Sequence, residues 1–219
     1  MNKLLFLATL VLLAAVFAVA VWFEEGRKAP SPQEASDRPV ATADASRLVR
    51  PHSPVLGPAD AKVTLVEFID PACETCAAFY PEVKRLLAAN PQRLRLVMRH
   101  VPFHSGSDAV VAMLDAARLQ GKYWEALEAL LRAQERWVQN HRVQPDAAMA
   151  VLGGVPGLDV ARLAADAKTA EVKDRGAQDF ADAKALKVTK TPEYFVNGRP
   201  LPQFGLEELK AMVGAALRN

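Results

Sequence analysis

The chain has 219 residues with 27 Lys and Arg against 25 Asp and Glu, a formal charge of +2. A balance this close to neutral gives no reason to expect a nucleic-acid partner and leaves the isolated basic residues as solvated surface. Only two cysteines are present, so at most one internal bridge can form and a disulfide-stapled scaffold is excluded.

After Lys3, residues Leu4 to Phe23 carry no charge, and Glu24, Glu25, Arg27 and Lys28 follow. Twenty apolar residues in a helix span about 30 Å, the thickness of a bilayer core, and Trp22 and Phe23 stand where interfacial aromatics sit. Residues 1–23 are therefore expected to be a signal-anchor, a single transmembrane helix in the cytoplasmic membrane with the folded part on its periplasmic side. The small-x-small triplet Ala18-Val19-Ala20 keeps cleavage, and a free periplasmic protein, as the alternative. From residue 24 to 54 the composition turns to Pro, Ser, Ala, Asp and Arg with no hydrophobic period, which predicts a flexible linker. Residues 55–219 are long enough for one domain with a sizeable core.

In that domain Lys62 to Asp70 is rich in β-branched and aromatic residues, as in a buried strand. Cys73-Glu74-Thr75-Cys76 follows. From Glu74 to about Ala89, residues Cys76, Phe79, Tyr80, Val83, Leu86 and Leu87 recur on one helical face, and Asn90-Pro91 ends the run. Leu94, Leu96 and Met98 alternate with arginines, the pattern of a strand buried on one face. The order strand, helix, strand predicts parallel pairing through a crossover. Residues 105–186 show helical periods only, so a helical block is set into an α/β domain. Glu193 to Val196, Asn197-Gly198 and Arg199 to Leu201 read as a hairpin, and Leu206 to Leu217 as a closing helix.

The cysteine pair points to redox chemistry, because a bridge across so short a loop removes little entropy from the unfolded chain. Cys73 falls at a helix N-terminus, where unpaired N–H groups and the dipole stabilise a thiolate, so it is expected to be the nucleophile. Cys76, one turn in on the apolar face, suits the resolving role. Glu67 is the one charged residue inside a strand that otherwise reads as buried, and burial should raise its pKa toward values useful for moving protons. Its competing reading is a strand-end glutamate paired with a surface lysine. A Cys-x-x-Cys zinc or copper site would need two more ligands. His100 and His104 are the candidates, but Pro102 between them disfavours a helix that would bring them together. No metal and no cofactor beyond the cysteine pair is expected.

These residues resemble the thioredoxin superfamily, and specifically its DsbA-like thiol:disulfide oxidoreductases. The features that carry the resemblance are Cys73-Glu74-Thr75-Cys76 after the first strand, Glu67 six residues before it, Pro81 inside the following helix, and Thr191-Pro192 ahead of the hairpin. The resemblance implies a thioredoxin-like fold with a helical insertion at about 105–186 and a cis peptide at Pro192. It also implies a role for Thr191 in pairing with an extended substrate chain, and one for Glu67 as proton acceptor from Cys76. It implies substrates that are reduced or unfolded exported proteins, and a membrane redox partner, either a quinone-linked oxidase or an electron donor. The chain departs from strongly oxidising members in having Glu74 and Thr75 between the cysteines. A carboxylate at Glu74 should raise the Cys73 pKa relative to those members and weaken the oxidant, which keeps reductase and isomerase readings open.

Overall fold

The computed structural model describes residues 43–219. The expected anchor at residues 1–23, and the expected linker up to residue 42, lie outside the described residues. Among the described residues no helix is long and apolar enough to cross a membrane.

The expected flexible linker does not extend to residue 54. Ala45–Leu48 forms a short helix, α1, capped by Asp44, whose side chain accepts the Ser46 N–H at 2.9 Å. Leu48 is buried, the Arg50 guanidinium grips Asp182 at 2.6 and 2.7 Å, and His52 Nε2 lies 2.7 Å from Asp179 Oδ1. The segment lacks hydrophobic periodicity because ion pairs, and a single leucine, hold it to the domain.

A five-stranded sheet has the order β1 (Val55–Leu56), β3 (Leu94–His100), β2 (Val63–Ile69), β6 (Glu193–Val196), β7 (Arg199–Pro200). β2 and β3 pair in parallel from Val63↔Leu94 to Ile69↔His100, as the crossover predicts, and β6 lies antiparallel on the other side of β2. The crossover is the long helix α2 (Glu74–Ala89), which contains Pro81. The β6–β7 hairpin turns on Asn197 and Gly198, both at positive φ, as a two-residue turn requires.

Alternation along the strands separates two cores. Val63, Leu65 and Ile69 of β2, Leu94, Leu96 and Met98 of β3, and Tyr194 and Val196 of β6 belong to the larger one. It also takes in Cys76, Tyr80 and Val83 of α2 and Leu209, Val213 and Leu217 of the closing helix α9 (Leu206–Arg218). Val66, Phe68, Val97 and Phe195 form the opposite core with Leu48 and Ala183. Glu67 follows the parity of Leu65 and Ile69, so the strand period aims it at the same side as Cys76.

The inserted block comprises α3 (Ser107–Leu119), α4 (Tyr123–Arg132), α5 (Gln134–Trp137), α6 (Pro145–Leu152), α7 (Val160–Asp166) and α8 (Ala170–Ala185). Contrary to the all-helical expectation it also holds a two-stranded hairpin, β4 (Val138–Gln139) with β5 (Arg142–Val143). Its turn is Asn140-His141, at φ 50° and 58°. The absence of glycine hides that turn in the sequence. β3 also differs from expectation. It is buried on both faces toward its C-terminal end, and Arg99 is 0% exposed, because α8 covers the second face with Asp179 and Asp182. Arg99 donates to Asp179 at 2.8 and 3.0 Å and to Asp182 at 2.8 Å.

Candidate active site

Cys73 is the N-cap of α2, and its Sγ accepts the Cys76 N–H at 3.4 Å. Both thiols are reduced, Cys73 6% and Cys76 0% exposed. The Cys73 pKa is lowered to about 6, first by a hydrogen bond from the Cys76 thiol, against the opposing effect of burial, then by a hydrogen bond with Thr191 and by backbone N–H groups of Cys76 and Thr75. Cys76 is pushed far upward, chiefly by burial, then by its hydrogen bond to Cys73 and by the charges of Cys73 and Glu67. At neutral pH one sulfur is a thiolate at the surface of the cleft and the other a thiol held beneath it.

Glu67 is fully buried. Tyr194 donates its hydroxyl to Oε1 at 3.2 Å, and Oε2 has no partner among the described residues. Burial raises the carboxyl to about 8, with the Tyr194 hydrogen bond opposing and the Cys73 charge adding. The alternative of a strand-end carboxylate paired with lysine does not hold. Tyr194 was not singled out from the sequence, and the signal for it is register, since β2 and β6 pair Glu67 opposite Tyr194.

The Thr191-Pro192 peptide is cis, and Cys73 Sγ stands 3.3 Å from the Thr191 carbonyl oxygen. That contact is a donated S–H and belongs to the neutral thiol. Two further residues fix the cysteine loop. Gln134 donates its amide to the Pro71 carbonyl at 2.8 Å and to that of Cys73 at 3.2 Å. Asp70, buried at the end of β2, accepts the N–H groups of Ala72 at 2.9 Å and of Phe103 and His104 at 2.8 Å, and the Ser107 hydroxyl. Asp70 reads in the sequence only as a strand end, because its partners other than Ala72 lie more than thirty residues away.

The histidines do not gather around the cysteines as a shared metal site would require. His100 is buried, its Nε2 2.8 Å from the Tyr123 hydroxyl, and burial lowers its pKa. His104 Nδ1 lies 2.8 Å from Asp70 Oδ2. Glu74 points outward, 58% exposed, with its Oε1 3.3 Å from His141 Nδ1, so solvent and the imidazole moderate the effect of its charge on Cys73.

A family model described as thioredoxin matches residues 50–215. The structure is similar to that of a thioredoxin-like oxidoreductase from Silicibacter pomeroyi DSS-3, with 32% identity and a TM-score of 0.70 over 81% of this chain and 99% of the other. Oxidised BdbD from Bacillus subtilis shares the fold at 20% identity, with a TM-score of 0.70 over 82% of this chain and 99% of its own. Pseudomonas aeruginosa DsbA2 is 25% identical, with a TM-score of 0.60 over 74% and 92%. Among curated proteins, the Na(+)/H(+) antiporter NhaA of Herminiimonas arsenicoxydans is 34% identical over 147 residues, 67% of this chain. The chain spans only 22% of that relative's length. The family match over most of the chain, joined to a helix-capping Cys73 beside cis-Pro192, places this protein in the thioredoxin family, with a DsbA-like fold.

Proposed function

We propose that this domain exchanges disulfides with exported proteins on the extracytoplasmic side of the membrane, through Cys73 as nucleophile and Cys76 as resolving thiol. The opposed acidities of two sulfurs three residues apart carry the reading. In the oxidising direction a substrate thiolate attacks Cys73 Sγ of the disulfide, and the bond to Cys76 breaks. A second substrate thiolate then attacks the substrate sulfur of the mixed disulfide, and Cys73 leaves as the thiolate that the α2 N-terminus stabilises. A leaving group of low pKa departs readily. In the reverse direction Cys76 must lose its proton to attack the mixed disulfide. Two of the influences that raise its pKa, the hydrogen bond and the charge of the Cys73 thiolate, are absent once Cys73 is covalently bound; the loss of that charge also removes one cause that raises Glu67, and the ionised fraction of this buried carboxyl is placed to take the proton. Thr191 supplies backbone groups for an extended substrate chain, a strand-addition mode of binding.

The apolar residues 4–23 support membrane attachment or export, and a membrane redox partner would reset the pair after each turnover. The reduction potential of Cys73/Cys76, equilibrated in glutathione buffers and read by thiol trapping, tests the direction. A stabilised thiolate favours the dithiol, and a Cys73 pKa of about 6 lies between the values of about 7 and about 3.5 that accompany potentials of about −270 and about −120 mV, so the expected value lies between those two. A value near about −270 mV would overturn the oxidase reading and assign the same chemistry to a reductase.

A further inference from the structure

Outside the thiol chemistry, three side chains meet beside the cysteine loop. Glu74 comes from the first turn of α2, His104 from the loop after β3, and His141 from the turn of the β4–β5 hairpin. Each offers one ligand atom, and the three atoms lie within 4.8 Å of one another. The two imidazole rings stack with centroids 6.4 Å apart. We propose that Glu74, His104 and His141 form a site for a transition-metal dication of the Zn2+ class, separate from the cysteines.

Two structural features go beyond proximity. Asp70 Oδ2 engages His104 Nδ1 at 2.8 Å, which leaves Nε2 as the nitrogen His104 can offer. A carboxylate behind an imidazole is the arrangement that sets the tautomer and orientation of metal-ligating histidines, and Asp70 is itself buried and held by Ala72, Phe103 and Ser107. The hairpin is also fastened to the loop that carries His104. The Val143 N–H donates to the Ser105 carbonyl at 3.0 Å, and Ser105 and Arg142 form a bridge. His141, in a left-handed conformation at φ 58°, is thereby presented toward Glu74 by backbone pairing rather than by a flexible tail.

Two imidazoles and one carboxylate suit Zn2+ or Cu2+ and are poorly matched to Mg2+ or Ca2+, which prefer all-oxygen shells. Bonds of about 2.0–2.2 Å require the three atoms to close slightly, and the exposed Glu74 and His141 have room to do so. Three protein ligands leave a fourth position for water. A bound ion would link the start of α2, the loop after β3 and the inserted hairpin, and so stiffen one wall of the cleft beside Cys73.

The test is a Zn2+ titration of the full-length chain in its Cys73–Cys76 disulfide form, where no thiolate can serve as ligand, in competition with a chromophoric chelator. One Zn2+ per chain is expected, with affinity falling about tenfold or more in His141→Asn and in Glu74→Gln. Asparagine tolerates the left-handed turn, and Glu74 is exposed, so both variants should fold. Zn2+ should raise the melting midpoint of the wild-type chain and leave that of the double variant unchanged. Absence of stoichiometric binding to the disulfide form, or undiminished binding in the double variant, would overturn the proposal.

Discussion

Cys73 and Cys76 are chemically identical, yet the fold gives them opposite acidities, and each consequence can be read in solution. With its pKa near 6, Cys73 should be alkylated by iodoacetamide with a rate that is half-maximal close to pH 6, while Cys76, 0% exposed, reacts only after unfolding. The depressed pKa stabilises the folded, reduced chain. That contribution is complete above the unfolded thiol pKa of about 8.5 and is lost as the pH falls through about 6. Glu67 works in the other sense. Its carboxyl is raised from 4.5 to about 8, so the folded chain keeps a proton that the unfolded chain has released, and stability declines as pH rises across that window. Glu67→Gln should therefore gain a few kcal/mol relative to wild type between pH 5 and pH 9 in urea titrations. It should also slow resolution of a mixed disulfide by about a hundredfold, within the range for losing a general base. A variant that is stabilised at pH 9 yet resolves at the wild-type rate would remove Glu67 from the proton path. The buried acid was legible from one charge in an apolar strand. Its partner Tyr194 was not, because strand register between residues 127 positions apart has no local signature.

Among elements, α8 is held to β3 by charge. Arg99, Asp179 and Asp182 are all nearly or fully buried, and Arg50 and His52 complete the network from the N-terminal segment. The Asp182 pKa is lowered to about 2 by hydrogen bonds and charge from Arg50 and Arg99, although burial opposes them. A lowered carboxylate pKa contributes stability above pH 4 that disappears as the pH falls toward 2. Removing one partner of a buried pair leaves the other charge uncompensated, so Asp182→Ala should lose about 3–5 kcal/mol in urea unfolding at pH 7. The deficit should narrow as the pH drops below 4. In the sequence Arg99 is one arginine of an alternating set and reads as outward-facing, whereas the structure buries it because the helix covering that face lies about 80 residues away. The same blindness applies to β4 and β5, whose two-residue strands are too short to show a period.

At the scale of the molecule, the N-terminal boundary of the folded unit is where sequence and structure part most clearly. A chain shortened to begin at Val55 loses the burial of Leu48 and the Arg50 and His52 contacts, and should be less stable by several kcal/mol than one beginning at Ala43, as chemical denaturation of the two would measure. Equal stability would return the segment to the status of a linker. Local pattern was enough for much else: the β2–α2–β3 order, the Cys73 position at the start of α2, the β6–β7 hairpin and α9 all follow from period, capping and turn chemistry within short windows. The tertiary structure alone decided the docking of residues 43–54, the burial of Arg99, the Tyr194 hydrogen bond to Glu67 and the meeting of Glu74, His104 and His141. Each of these joins side chains from segments well apart along the chain, and their chemistry is set by what faces them across a packed interface, which no periodicity in a single stretch of residues encodes.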